Sequence, residues 1–205
     1  MGKRLAMYIG GLAVTAFGIA LIILSLLGAG PWDAVAVGLT RHLGLTIGMW
    51  SIISQLFFTW LTWILEKTRF KIESLIPIMI RSCFLDFWFY FVLKDADSSY
   101  SWESQLLCFC AGLLLGGIGI GIYMEAQLPK TPIDGLMVAI SNRFGWTYSR
   151  SRMSIEGTGA MLGYLLGGPV GLGTLLTALC LGRIIYIVNR LVKKVFYGQT
   201  DSLEI

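Results

Sequence analysis

The residues of this sequence with the clearest chemical potential are ionisable side chains inside or beside long apolar stretches. A guanidinium group binds carboxylates and phosphates through paired hydrogen bonds, and a buried carboxylate can carry a proton. These types predict a site for a small organic anion or zwitterion, with Glu156 and Glu125 as candidates for proton coupling. The candidate binding residues are Arg81, Asp86, Arg183, Asp33, Asp134 and Glu156.

The same residues have simpler interpretations, which the sequence leaves open. Five carboxylates can neutralise two arginines in an internal network of ion pairs. Asp33 and Asp134 could instead cap helix ends, and Glu156 could pair with nearby arginines. Arg81 and Asp86 are five residues apart and do not share a helix face, so we expect each to find its partner on another helix.

Catalysis has little support in the sequence. His42 is the only histidine and lies far from the four cysteines, all of which fall in apolar runs. No metal-ligand spacing, nucleophile motif or phosphate-binding loop is present. We therefore predict a protein that is not an enzyme and needs no metal or cofactor.

The composition is that of an integral membrane protein. Of the 205 residues, 56% are hydrophobic and 14% charged, whereas soluble domains carry about 25% charged residues. Several apolar runs approach the roughly 18–20 residues that cross a bilayer. The lipid bilayer is therefore the expected partner, and the net charge of +4 is interpreted as membrane orientation, with no role in nucleic-acid binding.

A proline-aspartate segment occurs twice, at 28–46 and 128–147, with an offset of 101 residues. The matching positions are Pro31 and Pro132, Asp33 and Asp134, Val37 and Val138, Gly44 and Gly145, and Thr46 and Thr147. Proline suits the first turn of a helix, and glycine suits the position after its end. Each segment therefore predicts a short helix.

Each short helix has about 12 residues between its proline and its glycine, which is roughly 18 Å or half a bilayer. Two placements follow. The helices could lie at the membrane surface, or they could be re-entrant half-helices whose polar ends meet at mid-depth from opposite sides.

The repeat extends over the whole chain. We expect an all-α fold of two three-helix units, one at 1–93 and one at 105–195, joined by an outer linker at 94–104 and followed by a polar tail at 196–205. The predicted membrane helices are 5–27, 47–65, 74–93, 105–127, 153–167 and 174–191.

An odd number of crossings per unit predicts an inverted repeat, an arrangement common among transporters. With the N-terminus inside, the inner segments hold 12 of the 16 lysines and arginines. This bias follows the positive-inside rule and predicts cytoplasmic termini.

Glycines recur at helical spacing in the fourth predicted membrane helix, at Gly112, Gly116, Gly117 and Gly121. Such small-residue patterns allow close helix packing. They could pack within the chain or form a homodimer.

Several spaced motifs resemble those of the YczE/YyaS/YitT-type bacterial membrane proteins. The resemblance implies a bacterial cytoplasmic-membrane location and the short branch of the family, without a C-terminal soluble domain. One departure is the second motif, which has prolines where a more glycine-rich approach is expected. The motifs are Gly30-Pro31-Trp32-Asp33, Gly44-Leu45-Thr46-Ile47-Gly48, Asp134-Gly135-Leu136-Met137, Glu156, and the stretch 166–174.

The sequence thus favours a small secondary transporter or exporter with a site between two inverted repeats. The alternatives are a substrate-capture subunit of a larger transport complex and a non-transporting membrane factor for assembly or export.

Overall fold

The computed structural model describes residues 2–67, 72–96, 101–129 and 131–197, and within these ranges the chain is helical with no strand. Parts of the predicted link at 66–73, the outer linker at 94–104 and the polar tail at 196–205 lie outside the described residues. The helices are α1 (Gly2–Leu24), α2 (Pro31–Leu43), α3 (Ile47–Glu66), α4 (Leu75–Phe87, continued by a π-helical turn Trp88–Val92), α5 (Trp102–Glu125), α6 (Pro132–Phe144), α7 (Tyr148–Leu165) and α8 (Leu172–Tyr197).

Several predicted boundaries were wrong by a few residues. The fifth membrane helix begins at Tyr148 instead of residue 153, because the side chain of Thr147 accepts a hydrogen bond from the amide of Arg150 and starts the helix there. The sixth continues to Tyr197, into the predicted polar tail. Basic residues such as Lys194 suit the last turns of a helix, so they extend α8 instead of ending it.

Within the described residues, five segments are long and apolar enough to cross a membrane: α1, α3, Ile72–Val92, α5 and α8. The fifth predicted membrane helix, which corresponds to α7, is not among them. Its 18 residues include Arg150, Arg152 and Glu156, which lower its hydropathy.

The centre of the fold is the packing of α1 against α5, the most extensive helix pair. A Cβ atom built on Gly18 would lie 2.3 Å from the amide nitrogen of Gly116, and one built on Gly119 would lie 2.4 Å from that of Thr15. The helices therefore approach backbone to backbone, as the glycine spacing predicts. On another face of α5, Gly117 and Gly121 receive side chains of α8.

The two short helices each pack against a long helix of the other half of the chain. Helix α2 packs against α7, and α6 packs against α3. Each short helix also contacts the long helix that follows it in sequence. This exchange of contacts places α2, α3, α6 and α7 around a common centre.

Candidate binding site between the two short helices

Helix α2 begins where its sequence predicts. Pro31 occupies the first turn, Asp33 lies in the same turn, and Gly44 follows the last residue of the helix. Gly30 is the N-cap residue, and no side-chain hydrogen bond caps this end. The charge of Asp33 still lies in the first turn, where it suits the helix dipole, but no described cap hydrogen bond holds its carboxylate there.

Asp33 instead faces Arg81 of α4. Its carboxylate lies 3.9 Å from a terminal nitrogen of Arg81, and both side chains are largely buried, with 18% and 16% of their surface exposed. Arg81 lies close to the middle of the apolar segment Ile72–Val92. Its Nε atom is buried and has no hydrogen-bond partner among the described residues, so the guanidinium retains donor capacity at mid-depth.

The start of α2 is wedged between α3 and α7. The ring of Trp32 meets that of Phe58 edge to face, with centroids 4.6 Å apart. A Cβ atom on Gly159 would lie 2.8 Å from Trp32 Nε1 and 3.1 Å from Pro31 Cβ. Gly159 is therefore required for α7 to approach α2 this closely.

The other end of α2 lies at the end of α7. Arg41 and His42 contact the backbone oxygens of Gly167 and Leu166, respectively. Helix α2 thus runs alongside the second half of α7, starting inside the bundle and ending at its edge.

Helix α6 begins in a similar place on α3. The backbone amide of Ile133 donates a hydrogen bond of 3.2 Å to the side-chain oxygen of Gln55. Gln55 is buried and lies near the middle of α3. Both short helices therefore start inside the bundle, and their placement as re-entrant half-helices stays a prediction. The side chain of Asp134, in the first turn of α6, lies outside what the structure describes.

A cavity of about 350 Å³ lies beside Trp32, between α2, α3, α6 and α7. Its lining is almost entirely apolar, and its polar side chains come from α7. The lining residues include Trp32, Phe58, Leu136, Ile140, Ser154 and Thr158. Such a cavity can hold the apolar part of a small molecule, and it borders Trp32, the residue before Asp33 in the first turn of α2.

Asp86 holds the start of α3 in place. Its carboxylate accepts a 2.8 Å hydrogen bond from the amide of Gly48 and another from the hydroxyl of Thr46. Its partners thus lie on another helix, as expected. Substrate binding by Asp86 stays a prediction, because the structure gives this carboxylate an anchoring contact.

The remaining candidates lie apart from this centre or have their own contacts. Arg183 is exposed on α8. Glu156 and Glu125 are half-buried, and each already makes an interaction in the chain. No group of three potential metal ligands occurs in the described part of the chain.

Two kinds of site residue escaped sequence reasoning. Gln55 aligns with Glu156 across the repeat, and that alignment was the available signal for its position beside α6. The aromatic pair Trp32 and Phe58 carried no signal, because aromatic residues near the ends of spans are ordinary membrane anchors.

The fold and this centre define a class: an all-helical membrane protein with two short helices that begin inside the bundle. The family model described as "Family of unknown function (DUF6198)" matches residues 2–190, and the chain belongs to this family.

Curated relatives agree with this assignment and with the resemblance in the motifs. The "Uncharacterized membrane protein YczE" of Bacillus subtilis is 37% identical over 89% of this chain and 83% of its own length. The "Uncharacterized protein YyaS" of the same organism is 34% identical over 94% and 96%. An "Uncharacterized protein" of Haemophilus influenzae is 32% identical over 89% and 82%. No solved structure gives a significant match.

Proposed function

We propose that this chain is a secondary transporter or exporter of a small organic anion or zwitterion. The observation that carries the proposal is the Asp33–Arg81 pair at 3.9 Å, which joins the first turn of α2 to the middle of the apolar segment Ile72–Val92. Ionisable residues at such depth are costly and are typical of substrate or ion pathways.

In this proposal α7 is the sixth crossing, and the two halves form an inverted repeat. The exchanged packing of α2 on α7 and α6 on α3 supports this, because an inverted repeat would relate these two contacts by a two-fold axis in the membrane plane. The polar face of α7 would then line a cavity instead of facing lipid. The charge distribution favours the bacterial cytoplasmic membrane with both termini inside.

The site suggests how a substrate would be held. Arg81 would bind the substrate carboxylate, and Asp33 would bind an ammonium group of a zwitterion. The cavity beside Trp32 would take the apolar part. The amides in the first turns of α2 and α6 add positive partial charge that favours an anionic group. Rocking of the two halves would expose this site to each side in turn.

The test is solute exchange in proteoliposomes. The purified chain is reconstituted into liposomes that are loaded with a candidate solute. Counterflow is then measured for a panel of labelled amino acids, dicarboxylates and aromatic carboxylates. We expect exchange of at least one compound, and its loss in Arg81→Gln. The control Arg152→Gln changes an exposed arginine and should retain exchange. Absence of gradient-dependent exchange for every compound, or equal exchange in both variants, would contradict the proposal.

A further inference from the structure

Helix α8 is far more exposed than the other apolar helices. In its apolar stretch of 18 residues only 6% are buried, compared with 56% in α1 and 44% in α5. It packs on α5 through one face, where Ile184 and Val188 meet the glycines of that helix. An exposed apolar face is ordinary for a helix in lipid. This face differs because it also carries a charged residue, Arg183, and a glycine, Gly182.

In the first half of the chain, the helix that corresponds to α8 is α4, and α4 has a second neighbouring helix. Helix α4 packs against both α1 and α3, whereas in the described part of the chain α8 has no comparable contact with α7. Ser82 of α4 is 1% exposed, and its backbone oxygen would lie 2.6 Å from a Cβ atom on Gly48. Helices α4 and α8 align at an offset of 100 residues, which pairs Ser74 with Thr174 and Ser82 with Gly182. Gly182 is exposed, and no atom lies within 4 Å of a Cβ built on it.

Gly182 belongs to a regular stripe on α8. Leu175, Leu179, Gly182 and Tyr186 follow one another at intervals of four, three and four residues, and all are exposed. This spacing is typical of a helix that packs lengthwise against another helix. We name these four residues and Arg183 the α8 open face.

Arg183 gives this face a charge that lipid cannot satisfy. It is exposed and makes no ion pair with any residue that the structure describes. It lies near the middle of Leu172–Val195, about 17 Å from either end at 1.5 Å per residue. A charge at this depth is costly in lipid, and a carboxylate on a neighbouring helix lowers that cost by pairing with it.

We propose that the α8 open face binds a transmembrane helix of a different protein, one that carries a carboxylate near mid-depth. The carboxylate neutralises Arg183, and Gly182 allows the partner backbone to approach closely. The described part of a second copy of this chain offers no unengaged carboxylate near mid-depth. Of the described acidic side chains near mid-depth, Asp33 faces Arg81, Asp86 holds α3 and Glu156 is already engaged.

The test uses defined helices in lipid vesicles. The full chain carries a fluorescent protein at its C-terminus, and the probes are dye-labelled leucine-alanine helices with a single central Glu or Gln. Energy transfer should be roughly tenfold stronger for the Glu helix, the size of one interhelical polar contact. Arg183→Leu should abolish the preference, and Arg183→Lys should keep part of it.

Two further variants separate docking from folding. Gly182→Leu places a side chain in open space, so the chain should fold normally while binding of the Glu helix is lost. Arg190→Leu changes an exposed arginine nearer the inner end and should leave binding intact. Equal binding of the Glu and Gln helices would overturn the proposal. Transfer between two copies of the chain that disappears in Arg183→Leu would overturn it as well, because the occupant would then be a second copy.

Discussion

Asp33 and Arg81 stabilise the fold only as a pair. Replacing Asp33 with Asn leaves a largely buried guanidinium without its carboxylate, which typically costs about 3 kcal/mol. The double variant Asp33→Asn with Arg81→Gln leaves no buried charge and should recover most of that stability. Thermal unfolding in detergent measures both.

The matched control is Asp95→Asn, which changes an exposed aspartate and should unfold like the unmodified chain. If the double variant were no more stable than Asp33→Asn alone, the ion pair would not be the source of the effect. Solute exchange should be lost in both the single and the double variant, because the proposed binding groups are missing in each.

Asp86, unlike the Asp33–Arg81 pair, is expected to stabilise the fold without taking part in solute exchange. Asp86→Ala removes the acceptor for the amide of Gly48 and the hydroxyl of Thr46, and leaving a buried donor unsatisfied costs about 1–3 kcal/mol. We expect reduced unfolding temperature with solute exchange retained at low temperature. Asp86→Asn keeps one oxygen acceptor and should lose less stability. Complete loss of exchange in a folded Asp86→Asn chain would assign Asp86 to the binding site instead.

At the scale of elements, the α1–α5 pair depends on glycine backbones in contact. A Cβ atom on Gly18 would lie 2.3 Å from the amide nitrogen of Gly116 and 2.6 Å from the oxygen of Gly112. Backbone atoms cannot yield as a flexible side chain can, so Gly18→Ala should cost about 2 kcal/mol of folding stability. Unfolding temperature in detergent is the measurement.

Gly10 is the matched control on the same helix, since nothing lies within 4 Å of its Cβ position. Gly10→Ala should be neutral or slightly stabilising, because alanine is favoured over glycine in helices by roughly 1 kcal/mol. Similar losses in both variants would contradict the close α1–α5 approach.

The start of α6 depends on one side chain of α3. Gln55→Leu removes the acceptor for the amide of Ile133 and replaces it with an apolar side chain of similar size. The loss should be about 1 kcal/mol, confined to α6. Hydrogen exchange should become faster in 132–138 and stay unchanged in α1. Uniform acceleration across the chain would mean that Gln55 supports the whole bundle.

At the scale of the whole molecule, the proposed crossing by α7 would place the two ends of this helix on opposite sides of the membrane. Single cysteines replace Asp95, Arg150 or Leu172 in a chain whose native cysteines are changed to serine. An impermeant maleimide should label positions 95 and 172 in intact cells, and position 150 only after permeabilisation. Labelling of 150 and 172 from one side would show that α7 does not cross and would contradict the inverted repeat.

The sequence by itself determined the class, the repeat and the start of each short helix. Apolar runs of bilayer length and the charge deficit are local properties, and so are the proline and glycine signals that bound α2 and α6. These signals act through the backbone of a few neighbouring residues, which is why they predict elements without knowledge of packing. The close α1–α5 contact followed from glycine spacing for the same reason.

Only the tertiary structure decided which charges meet. Asp33 and Arg81 come together because α2 and α4 both pack against α3. Asp86 contacts the start of α3 because α4 packs along that helix. The tertiary structure also leaves Arg183 on an exposed face of α8, although Arg183 and Arg81 both lie near the middle of their apolar segments. Pairing depends on the relative rotation and spacing of helices far apart in the chain, and no local pattern carries that information.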